Sequence, residues 1–192
     1  MVDQGKQTGG KGKPFTKTNN PEDPNKHRHG DLVHSHEHEG SHEHDKRAVK
    51  MSADATRLIA GLQGDLQGEF QAVIMYRLYA SMVQGPYRQE LRAFFANEIP
   101  EELGHAQILA DKLSAMGATL PATPSPVTVV TDAKAMLEAA LKAEVETIGR
   151  YVERRAQAEA AGEHGLAAEF DTIIVDETHH RDELRQMLAR WP

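Results

Sequence analysis

Displaced by 75 residues, the chain falls onto itself, and this repeat narrows the possible folds more than any other feature of the sequence. Leu62, Leu66, Glu69, Val73 and Tyr76 align with Leu137, Leu141, Glu144, Ile148 and Tyr151. Further on, Phe95, Ile99, Glu102, His105, Leu109 and Leu113 align with Phe170, Ile174, Glu177, His180, Leu184 and Leu188. The aligned residues recur at steps of three and four, the period of one helix face. Each half therefore reads as a helical hairpin, and two copies of one hairpin imply a pseudo-two-fold axis. The predicted helices run over residues 54–84, from the Gly85-Pro86 turn to residue 116, from a cap at Thr131 or Asp132 to Gly162, and on to residue 190. Residues 118–131, with Pro121, Pro124 and Pro126, form an extended link. Two short links and one long one give an all-α four-helix bundle with a single crossover between its second and third helices. Pro100 lies inside the second helix and is expected to kink it.

The repeat begins only after residue 50. Residues 1–50 hold almost no apolar side chains and cannot offset the entropy of ordering, so they are predicted to be a disordered tail on a bundle of residues 51–192. Seven of the eleven histidines fall in this tail as HxH units: His27/His29, His34/His36/His38 and His42/His44. Lys6, Lys11, Lys13 and Lys17 precede them. The tail carries a net charge of +1 and the remainder −8. An acidic body argues against a broad nucleic-acid face there and suits cation chemistry. The absence of cysteine excludes a disulfide scaffold, thiolate zinc or iron sites and a cysteine nucleophile. No apolar run is long enough to span a membrane, and residues 1–15 lack a signal-type apolar core, so a cytoplasmic location is expected.

The chemistry lies where the apolar stripes are interrupted. The stripe of the first helix reads Ile59, Leu62, Leu66, Glu69, Val73, Tyr76, Ala80, Val83, which turns Glu69 inward. A buried, unpaired carboxylate costs several kcal/mol, roughly, and needs a partner or a shifted pKa. Here there are four: Glu69, Glu102, Glu144 and Glu177, with His105 and His180 three residues after the second and fourth. Both Glu-to-Glu gaps within a hairpin are 33 residues, so all four stand at one height, roughly 25 Å from either turn at ~1.5 Å rise per residue. Glu and His at i, i+3 project from one face. Two divalent cations would neutralise four carboxylates, and mixed carboxylate and imidazole donors suit Fe(II), Mn(II) or Zn(II). Pseudo-symmetry then makes Glu69 and Glu144 terminal ligands, Glu102 and Glu177 bridges, and His105 and His180 one cap per metal. Tyr76 and Tyr151, one heptad past the terminal glutamates, are placed to hydrogen-bond a ligating carboxylate across the bundle. Glu98, Glu101, Glu146, Asp176 and His179 flank the site and are expected mostly at the surface; His164 falls in the last turn. A second apolar row on the first helix, Phe70, Ile74, Met75, Leu78 and Met82, points to assembly with further copies.

The segments LQGEFQAVIMY, EELGHAQILADKL, LKAEVETIGRY and DETHHRDEL resemble the ferritin-like superfamily over residues 52–190, most closely its bacterioferritin and Dps-like branch. The resemblance implies a ferroxidase centre made by Glu69, Glu102, His105, Glu144, Glu177 and His180. Two iron ions per subunit would be oxidised there by O₂ or H₂O₂, with mineral stored in a hollow homo-oligomer. Bacterioferritins bind haem through a methionine where this chain has Leu103, so no haem is expected. Only twelve residues follow His180, which favours a Dps-like shell of twelve subunits over a cage of 24 with its fifth helix. Two alternatives stay open. The same ligands would serve a manganese catalase or peroxidase. A Dps-like shell whose tail binds DNA through its lysines, or buffers metal through its histidines, would make catalysis incidental.

Overall fold

The computed structural model describes residues 51–191, and the expectations for residues 1–50, including the histidine and lysine segments, lie outside the described residues. Among the described residues four helices form: α1 (Ala53–Met82), α2 (Arg88–Ala115), α3 (Ala133–Ala160) and α4 (His164–Leu188). Their ends follow local chemistry. Ser52 caps α1 by accepting from the Ala55 amide at 3.1 Å, and Asp132, not Thr131, caps α3 by accepting from the Ala135 amide at 2.9 Å. Gly117 and Gly162, with φ of 70° and 78°, close α2 and α3 with paired reversed bonds: Ala118 N to Leu113 O and Glu163 N to Ala158 O. Pro100 stands on the exposed side of α2, and the helix continues through it.

Helices pack as α1 on α2, α3 on α4, and α1 on α3, which leaves α2 and α4 as the open pair. The crossover link runs along α1. Ser125 donates from its amide to Gln67 O at 2.9 Å, Gln63 Nε2 donates to Thr119 O at 2.7 Å, and Tyr79 Oη donates to Thr128 O at 2.9 Å. Val127 and Val130 of the link, together with Met82, join the core. Much of the second apolar row of α1 is thereby covered within the chain: Met75 is core, Phe70, Leu78 and Met82 are half-buried, and Ile74 is exposed.

The core is divided in two. One apolar cluster gathers Leu58, Leu62, Leu66, Leu109, Leu113, Tyr151 and Phe170; the other gathers Met75, Tyr76, Tyr79, Phe95, Ile99, Met136, Leu137 and Leu184. The layer between them holds the inward-facing polar residues. Among the described residues no helix is long and apolar enough to cross a membrane.

Candidate metal centre

All six residues singled out by the repeat meet in that middle layer, each between 0% and 6% exposed. Glu69 comes from α1, Glu102 and His105 from α2, Glu144 from α3, and Glu177 and His180 from α4. Their ligand atoms form two groups, Glu69, Glu102, His105, Glu177 and Glu102, Glu144, Glu177, His180, with the atoms of each group within 4.8 Å of one another. Glu102 and Glu177 belong to both groups, the arrangement expected of bridging carboxylates. His105 Nδ1 lies 3.1 Å from Glu177 Oε1 and 3.6 Å from Glu102 Oε2, and His180 Nδ1 lies 3.6 Å from Glu177 Oε2.

The two tyrosines behave as their heptad positions predict. Tyr76 donates to Glu144 Oε1 and Tyr151 donates to Glu69 Oε1, each bond crossing between α1 and α3. Glu144 and Glu69 thus each have one oxygen anchored. Glu69 Oε2, both oxygens of Glu177, His105 Nδ1 and His180 Nδ1 are buried without a hydrogen-bond partner. Buried polar atoms are seldom left so. The orphaned atoms are hard oxygen and imidazole nitrogen donors converging on one space, and they fit a pair of divalent cations.

Burial, and then the neighbouring carboxylates, raise Glu102 and Glu144 well above the usual carboxylate range. Burial lifts Glu69 to about 7, against the bond from Tyr151. Burial also opposes ionisation of Glu177, but the close imidazoles of His105 and His180 prevail and lower it. His180 is raised to about 9: burial disfavours its charge, and the nearby carboxylates of Glu177 and Glu98 overcome that. His105 is raised in the same way, by Glu177 and then Glu69, against burial. Metal binding at such a site must release protons.

A family model described as a ferritin-like domain matches residues 59–192. The chain belongs to the ferritin-like family. A solved structure described as ferritin-like, diiron-carboxylate proteins from Bacillus anthracis strain Ames is 43% identical to this ferritin-like chain. It covers 72% of this chain and 99% of its own, with a TM-score of 0.71. Dps from Thermosynechococcus elongatus, at 20% identity, covers 73% of this chain and 97% of its own with a TM-score of 0.68. A Dps protein from Bacillus brevis, at 19% identity, covers 71% and 98% with a TM-score of 0.67. These two likenesses are of fold alone. No curated protein matches the sequence.

Two features of this ferritin-like chain depart from the sequence reading or escape it. Glu98, expected at the surface with its neighbours, is 5% exposed and burial raises it to about 7, whereas Glu101, Glu146 and His179 are exposed as expected. The signal was present, since Glu98 precedes Glu102 by one helical turn and shares its face. Asp65 and Arg154, both buried, escaped altogether; Arg154 Nε donates to Asp65 Oδ2 at 2.6 Å, joining α1 to α3 beside the centre. Burial raises the Asp65 carboxyl despite Arg154 and Arg150. Asp65 lies one turn before Glu69, and Arg154 three residues after Tyr151. His164 opens α4, exposed, with Nδ1 3.0 Å from Glu159 Oε2.

Proposed function

We propose that this chain oxidises Fe(II) to Fe(III) at a dinuclear ferroxidase centre within each subunit and stores the product in a homo-oligomeric shell. The observation that carries this reading is the pair of buried four-ligand groups sharing Glu102 and Glu177, in which Glu69, His105, Glu177 and His180 each keep a donor atom without a hydrogen-bond partner. Glu69 and His105 hold one iron and Glu144 and His180 the other, with Glu102 and Glu177 between them. Two Fe(II) give up one electron each, together the two that reduce H₂O₂ to water or O₂ to H₂O₂. The diiron-carboxylate description of the 43%-identical structure supports iron as the metal. Glu98, Glu101, Asp176, His179, His180 and Glu183 line a 610 Å³ surface cleft between α2 and α4, an acidic approach for cations that ends on His180. The exposed apolar residues Ile74, Leu103, Val145, Val152 and Val175 support assembly, for which a Dps-like shell of twelve and a cytoplasmic location complete the proposal.

The test is an anaerobic Fe(II) titration followed by O₂ or H₂O₂, on the wild type and on the Glu102→Ala, His105→Ala double variant, with the size-exclusion mass of each. Two irons per centre, rapid oxidation lost in the double variant, and an iron-loaded large oligomer are expected. Oxidation no faster than in buffer, or surviving in the variant, overturns the reading. Turnover of peroxide with manganese but not iron would replace it with the catalase alternative.

A further inference from the structure

The repeat brings His105 and His180 to equivalent places but surrounds them unequally. Nδ1 of each faces the carboxylate cluster, and Nε2 of each points away from it. Nε2 of His180 lies 3.0 Å from Glu101 Oε2 and 3.2 Å from Glu98 Oε2. Nε2 of His105 has Asp176 Oδ2 at 3.8 Å, too far for a hydrogen bond. The 75-residue shift explains the difference. It pairs Glu101 with Asp176, and Glu98 with Ile173. Each hairpin thus sends the carboxylate just before its shared glutamate across to the histidine of the other hairpin. In the first hairpin that carboxylate is one methylene longer and reaches its target. Glu98 adds a second carboxylate whose buried Oε2 stands beside the same Nε2 without a hydrogen-bond partner, where the second hairpin has a buried isoleucine.

We infer that Glu98 and Glu101 make the two metal positions unequal, so that the cation on His180 and Glu144 binds first and tightly while the one on His105 and Glu69 is weaker and exchanges. This rests on the dinuclear reading above. An imidazole whose second nitrogen donates to a carboxylate is held in the ligating tautomer and orientation and is a more basic ligand. Losing such a partner costs about 10–100-fold in metal affinity. Glu98 and Glu101 are positioning residues. The position beside Asp176 is the one from which an ion leaves.

Anaerobic Co(II) titration of the full chain, followed by its visible absorbance and by equilibrium dialysis, tests the inference. The same titration of the Glu102→Ala, Glu177→Ala variant gives the contribution of the N-terminal histidines, which is subtracted. Two binding steps separated by roughly 10-fold or more are expected in the wild type. His180→Ala should remove the tight step and His105→Ala the weak one. Glu98→Gln with Glu101→Gln should weaken the tight step alone until the two merge. Asp176→Glu, by restoring the missing reach, should tighten the weak step, an effect that a merely structural role does not produce. Two equal steps in the wild type, or equal weakening of both in the Glu98→Gln, Glu101→Gln variant, overturn the inference while leaving the dinuclear centre standing. Loss of a third bound Co(II) with the first two unmoved also overturns it, since Glu98 and Glu101 would then be ligands of a separate cation. Failure to bind two Co(II) at the centre overturns the dinuclear reading as well.

Discussion

The hydroxyl of Tyr151 on α3 donates a hydrogen bond to the carboxylate of Glu69 on α1, and both groups are buried. Tyr76 on α1 returns the same bond to Glu144 on α3, so α1 and α3, which pack together across the two hairpins, are joined at this layer by two reciprocal tyrosine-carboxylate bonds. Each bond fixes one oxygen of a buried glutamate of the candidate centre. Tyr76→Phe and Tyr151→Phe should each lower metal affinity about 10-fold, at the lower end of the usual range for partners of metal ligands. Co(II) titration beside circular dichroism checks this: the helical signal should be unchanged, and the two variants should weaken different binding steps.

Without metal, stability should fall as pH rises. Glu69 is raised from 4.5 to about 7, and Glu102 and Glu144 are raised well above the usual carboxylate range, so the folded state holds protons that the unfolded chain has released. His180, raised from 6.5 to about 9, contributes stability that is full below 6.5 and is lost as pH passes about 9. Glu177, lowered, contributes its share throughout the range above 4.5. All the changes between 4.5 and about 9 therefore have one sign. Thermal melts of chelator-treated protein should give a higher midpoint at about pH 5 than at about pH 9. Saturating Co(II) should reverse the order, because the metal competes with those protons. A metal-free midpoint that climbs with pH would contradict the buried-proton description.

Arg154 stabilises the bundle through Asp65 rather than through the metal. Its guanidinium lies over Gly61, where a Cβ would collide with it, and it donates to Asp65 on the same helix. Arg154→Ala leaves the buried Asp65 carboxylate with only Arg150, whose Nε is 3.4 Å from Oδ1, and should cost about 3 kcal/mol, the lower end for breaking a buried pair. Asp65→Leu with Arg154→Met should recover most of that loss. Gly61→Ala should cost less, about 1–3 kcal/mol, by pushing the guanidinium off its acceptor. Denaturant melts at one protein concentration measure all three, and Co(II) affinity should change little in the double replacement.

The sequence by itself determined the helices, their pairing into hairpins and the six inward donors. A stripe with steps of three and four and a repeat of 75 residues specify angular positions around each helix and equal heights along the bundle. That is enough to place Glu69, Glu102, His105, Glu144, Glu177 and His180 in one layer, and both tyrosines beside it. Spacing along one helix does not say which side chain of a neighbouring helix stands opposite, nor whether it is long enough to touch. Those contacts depend on how the helices are rotated against each other and on single methylenes of reach. Only the tertiary structure therefore decided that Glu98 is buried against His180 and that Glu101 reaches its histidine while Asp176 stops at 3.8 Å. It also decided that Asp65 and Arg154 pair where the repeat has Ala140 and Tyr79. The repeat makes the two halves equivalent in pattern; packing makes them unequal in chemistry.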